Sequence, residues 1–133
     1  YRGWGCLLTH GVNDTLKTEL IELFDYLDVH EDKFWVGLFR DVLTYARERD
    51  TAQINITSVT NNEIRFQVTD SLDNQTFDYP LTIKVRIDNS WNQVTATQNG
   101  SAIDNEIVER NGNKYVLVQV IPDAGEVVLS KQI

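Results

Sequence analysis

The feature that most limits what this chain can become is a change of hydrophobic period near Asp50. Beyond it, apolar and polar residues alternate. Leu81, Ile83, Val85 and Ile87 are separated by Thr82, Lys84 and Arg86. A period of two places one set of side chains on one face of a strand and cannot line one face of a helix. Ile54, Ile56 and Ser58 share a face in the same way, as do Ile64, Phe66 and Val68. Turn residues separate these runs: Asn61-Asn62, the polar loop Ser71 to Thr76, Asp88-Asn89-Ser90, Gln98 to Ser101, and Pro122 to Gly125. Asn111-Gly112-Asn113 is a hairpin signal before Tyr115–Val120, because Asn-Gly tolerates the positive φ of a tight strand reversal. Trp91 and Val94 lead one strand and Val127–Leu129 form the last. About six or seven strands over 51–133 is the density of an antiparallel, Ig-like β-sandwich.

Before Asp50 the pattern differs. Gly5 to Thr9 is a short apolar run, read as a buried strand entered from Tyr1-Arg2-Gly3-Trp4. Asn13, Asp14 and Thr15 are helix-capping types, and Leu16, Leu20, Leu23, Phe24 and Leu27 recur at helical spacing, predicting a helix over 15–28. Phe34 to Gly37 reads as a second short strand, and Phe39, Val42, Leu43 and Ala46 as a second helical stripe. Strand–helix–strand–helix implies parallel strands with right-handed crossovers. The expected fold class is therefore α+β: an α/β segment over 1–50 and a β-sandwich over 51–133. An opening run this apolar, without an initiator Met, reads as the start of a trimmed or processed piece.

Charge narrows the partners. The chain carries 12 Lys and Arg against 20 Asp and Glu, a net charge of −8. No basic patch exists to displace counterions from phosphate, which argues against nucleic acid and anionic membrane surfaces. No run approaches the length of a membrane span, so no membrane insertion is expected. The single cysteine, Cys6, lies in an apolar run and reads as a buried thiol that cannot form an internal disulfide.

Two segments resemble the closing portion of the polysaccharide deacetylase family, the NodB-homology carbohydrate esterases. The first is Trp4-Gly5-Cys6-Leu7-Leu8-Thr9-His10-Gly11-Val12, an apolar strand ending in a histidine. The second runs from Phe34-Trp35-Val36-Gly37 through Tyr45 to Asp50, like that family's last strand and helix. The resemblance implies that 1–50 forms two β/α units of a deacetylase-like barrel. It implies an intact parent that removes acetyl groups from sugars with a divalent metal, zinc or similar, held by an Asp and two His. It also implies that His10 is catalytic and protonates the leaving group. The family's Asp-Asp and His-x-x-x-His motifs are absent, since the only histidines are His10 and His30. No metal ligand or cofactor is therefore assigned to this chain itself, which alone is expected to be inactive.

Each candidate has a plainer alternative. His10 could cap a strand, and His30 sits in a polar loop as a bystander. The Asp25, Asp28, Glu31 and Asp32 cluster reads as a solvated helix end, because its spacing matches no calcium loop. Trp35 reads as barrel core, and Trp4 as the start of its strand, away from the catalytic end. Trp91, beside Asn89, Ser90 and Asn92, is the candidate sugar-stacking platform, against the alternative of a core tryptophan. The expected function is that of the C-terminal part of a secreted, periplasmic or cell-surface carbohydrate deacetylase. Its partners would be a polysaccharide or oligosaccharide, and either a missing upstream barrel segment or another copy of the chain. The alternative is a non-catalytic carbohydrate-binding or protein-interaction sandwich.

Overall fold

The structure, a computed structural model, describes residues 3–132. Two helices, α1 (Asp14–Asp28) and α2 (Phe39–Thr51), precede eight strands. These are β1 (Gln53–Val59), β2 (Glu63–Thr69), β3 (Leu81–Arg86), β4 (Val94–Gln98), β5 (Ser101–Ala102), β6 (Asn105–Arg110), β7 (Asn113–Val120) and β8 (Val127–Lys131). The chain divides into two compact units, Tyr1–Val42 and Leu43–Ile133.

In the first unit, α1 starts where the capping chemistry predicts. The Asn13 side chain accepts the N–H of Leu16 at 2.8 Å, satisfying a donor that the first turn leaves open. Asp14 adds an acidic group at the positive end of the helix dipole. Beyond Asp28 the His30 ring contacts the Tyr26 carbonyl oxygen at 2.7 Å and stacks on the Tyr26 ring, closing the helix end. Leu16, Leu20 and Leu27 are half-buried, and no described residue of this unit is buried.

The barrel expectation is not met. Among the described residues, no strand occurs before Gln53. Tyr1 and Arg2, where the first expected strand would be entered, lie outside the described residues. Neither Gly5–Thr9 nor Phe34–Gly37 has a ladder partner, and a strand is defined by the partner that takes its N–H and C=O groups. Trp4 instead stacks on Phe39, with ring centroids 5.3 Å apart. Trp35, read as core, is 51% exposed, and its indole folds back over Gly37, where a Cβ would meet ring atoms at 3.1 Å. Cys6, read as a buried thiol, is exposed.

The second unit builds a core. Its five-stranded sheet has the order β1-β2-β8-β4-β5 and its three-stranded sheet the order β3-β7-β6, with every pair antiparallel. Phe66, Val68, Val127, Leu129 and Ala96 from the larger sheet share one cluster with Val116, Val118 and Val120 from the smaller. Ile87 and Trp91, from the connection between β3 and β4, complete it. The period-two runs thus become two layers around one core. The Asn99-Gly100 and Asn111-Gly112 turns hold positive φ at both residues, the twist-matched geometry of two-residue hairpins.

Three sequence readings change here. The strand order is not that of an Ig domain, whose last strand lies at a sheet edge. Here β8 lies between β2 and β4. Buried Gln98 secures the crossing from β7 to β8, accepting the N–H of Ile121 at 3.1 Å and donating to its carbonyl at 2.6 Å. Strand β6 is the one that period gave least sign of, because Asn105, Glu106, Glu109 and Arg110 surround only Ile107 and Val108. Finally, a bulge between Ile56 and Ser58 breaks the expected face, so that Val59 pairs with Ile64 while Ile54 and Ile56 face Val68 and Phe66. These three residues share the core side of the sheet, yet they are 54–65% exposed. The smaller sheet, three strands against five, does not cover this edge.

Candidate functional site

Two neighbouring concavities of the second unit lie at one end of the sandwich. The turn between β1 and β2 meets the connection between β3 and β4 there, beside the end of β8. A cleft of about 490 Å³ runs between them, and a shallower one of about 430 Å³ continues along Arg86 to Asn89.

Trp91 fixes this end. It is 1% exposed, and its indole N–H donates to the Asn61 carbonyl at 3.0 Å. A buried tryptophan needs such an acceptor, and this one ties the two loops together. Asn89 donates to the Gly112 carbonyl at 2.9 Å and accepts the Lys114 N–H at 3.1 Å. Lys114 Nζ reaches the Trp91 carbonyl at 3.2 Å and Asn92 Oδ1 at 2.7 Å. The loop is therefore held by hydrogen bonds on both sides.

The walls of the cleft carry the chemistry. Arg86 donates to Asn113 Oδ1 at 2.8 Å, which orients its guanidinium. Asp88 accepts the Ser90 N–H at 2.8 Å. That N–H, then the Ser90 hydroxyl, and last the charge of Lys131 hold the Asp88 carboxyl below the usual carboxylate range. Lys131 Nζ donates to Ser90 Oγ at 2.9 Å. Two cations and one firmly ionised acid thus face a cleft with Asn61, Asn62 and Ser90 beside them, in a chain that is acidic overall. Such groups can bind hydroxyls and carboxylates. An acid held ionised is a poor proton donor.

The two residues singled out from sequence belong to different units. His10 is exposed, at a bend after Thr9, whose hydroxyl bonds to the backbone of Gly11. It ends no strand, so the geometry that made it a barrel-mouth acid is absent. Trp91 corrects to its plainer reading: an indole 1% exposed has no face to lay against a sugar ring. Among the described residues, no three His, Cys, Asp or Glu side chains are grouped to hold a metal, and no helix is long and apolar enough to cross a membrane. Sequence reading passed over Arg86, Asp88 and Lys131. Their signal was slight: an Asp-Asn-Ser turn and two cations in alternating runs, joined only by the fold.

No protein-family model matches the chain, and no solved structure matches it. Among curated proteins it is similar to a gellan lyase from a Bacillus species. The two are 40% identical over 138 aligned positions, which cover 96% of this chain and 6% of that protein. The chain therefore spans a small part of the length of this relative. The match overturns the deacetylase resemblance, because it takes in nearly the whole chain, the supposed barrel segment and the strands together, and the relative is a lyase. The assignment as part of a metal-dependent deacetylase is withdrawn, and with it the leaving-group role of His10.

Proposed function

We propose that this chain is a non-catalytic polysaccharide-binding module of a longer polysaccharide-degrading protein that works outside the cell. The observation that carries this reading is the 40% identity to a gellan lyase across almost all of the chain but only 6% of that protein. A stretch so small relative to the whole suits an accessory role. The cleft supports it. Arg86 and Lys131 supply donors for hydroxyl and carboxylate oxygens, Asn61 and Asn62 add neutral ones, and the Trp91 anchor prearranges them. The strands carry the binding surface, and Tyr1–Val42 forms a separate unit of the same chain.

Isothermal titration with gellan and with an uncharged glucan tests this. Gellan should bind, and Arg86→Ala with Lys131→Ala should weaken it at least tenfold, about 1.4 kcal/mol. The purified chain should release no unsaturated sugar from gellan. Equal binding by the double variant would place the site elsewhere, and lyase product would overturn the non-catalytic reading.

A further inference from the structure

A second feature of the same unit is independent of the cleft. Glu48, in the last turns of α2, is 0% exposed. Its Oε1 accepts the Tyr79 N–H at 2.9 Å, whereas its Oε2 is buried without a hydrogen bond. Asp70, just after β2, has a matching defect. Its Oδ1 accepts the Leu72 N–H at 2.7 Å, but its Oδ2 is buried and unpartnered. Native proteins seldom leave one such oxygen bare, and an unseen ion is among the standard explanations.

The environment of Glu48 also disfavours its charge. Burial pushes the Glu48 carboxyl up, the Tyr79 N–H opposes this, and the charges of Asp70 and then Asp78 push it further. None of the ion pairs among the described residues reaches them: Arg49 pairs with Asp50, and Arg65 with Glu63 and Glu126. An isolated buried carboxylate is strongly disfavoured, and two that repel each other more so.

We infer that Glu48 and Asp70 together hold one divalent cation of the calcium type, where the end of α2 meets the loop that follows β2. The ligands on offer are oxygens, as a hard cation requires. No three acidic, histidine or cysteine side chains group together among the described residues, which excludes the closed four-ligand set of structural zinc. Calcium fills six to eight positions with carboxylates, main-chain carbonyls and water, so two acids suffice as its protein charge. The ion would neutralise the pair and tie the last turn of α2 to the β2–β3 loop.

Terbium, which replaces calcium and is lit by nearby tyrosine, tests the inference on the full chain. Tyr79 holds Glu48 through its backbone, and Tyr45 packs edge-on against Tyr79 with centroids 6.3 Å apart. Terbium should show sensitised emission at one site per chain, displaced by calcium in the 10⁻⁴ to 10⁻³ M range, on the order of that found for extracellular modules. Magnesium should displace it poorly. Calcium should raise the melting temperature of the wild-type chain and chelator should lower it. Glu48→Gln and Asp70→Asn should each weaken binding at least tenfold, while Asp50→Asn, at an exposed carboxylate, should not. The wild-type result stands alone if a variant fails to fold. If calcium moves neither emission nor melting, and mild acid alone stabilises the chain, the pair shares a proton and the inference is overturned.

Discussion

The two units of this protein spend their apolar residues differently. In the first, Leu7, Leu8, Phe24 and Trp35 are 51–85% exposed, and none of the described residues is buried. In the second, Phe66, Val116, Val118, Val120, Val127 and Leu129 are at most 1% exposed. Hydrophobicity alone does not explain this, because both stretches are rich in large apolar side chains. What differs is closure. An amphipathic helix buries its stripe only against a second layer. In the second unit the antiparallel sheets supply both layers themselves. In the first, α1 has good caps and a regular stripe, but the apolar runs around it form no sheet.

Mutation can break this comparison. The largest effect is expected from Trp91→Ala, which removes a buried indole and its bond to Asn61. It should cost about 3–5 kcal/mol in urea unfolding followed by circular dichroism. Leu20→Ala, on the half-buried stripe of α1, should cost less than about 1 kcal/mol in the same transition. Equal losses would mean that the first unit has a core of its own.

A smaller effect sharpens the same contrast. Asn13→Ala removes the α1 cap and should weaken that helix by about 1 kcal/mol. Helical ellipticity should fall while the main unfolding transition stays in place. A matching shift of that transition would show that the two units unfold together.

The smallest effect concerns the outer surface of the larger sheet. Glu126 accepts from Arg65 at 2.9 Å and from Thr57 at 3.0 Å, and these bonds, the Arg65 bond foremost, hold its carboxyl below the usual range. A carboxyl with a lowered folded pKa adds stability above its unfolded pKa and loses it as pH falls through the folded one. Glu126→Gln should therefore flatten the acid limb of the stability curve slightly and change little at low pH. An unchanged acid limb would show that the network contributes nothing measurable, as many exposed ion pairs do.

Much of the strand region was legible because its cues are local. The alternation at Leu81 to Ile87, the Asn-Gly turns, and the Asn13 cap before Leu16 each state a preference within a few residues. The α1 expectation of 15–28 differs from the observed Asp14–Asp28 by one residue. The failures share one cause. Gly5–Thr9 and Phe34–Gly37 look like strands, but a strand needs a partner, and partners are distant in sequence. The deacetylase resemblance rested on those same two runs. The cleft escaped notice because Asn61, Arg86, Asp88 and Lys131 come from separate elements. Each alone looks like an ordinary turn or surface residue.

By itself the sequence determined where period two begins, where chains of that period must turn, and that the chain as a whole is acidic. These follow from backbone geometry and net charge, which need no knowledge of neighbours. Tertiary structure alone decided that β8 enters the middle of a sheet, that Trp91 lies beneath the cleft with no face to offer, and that β1 keeps an uncovered apolar edge. It alone buried one oxygen each of Glu48 and Asp70 without a hydrogen-bond partner. Burial and electrostatic coupling depend on which distant segments meet, and that is settled only when the whole core closes.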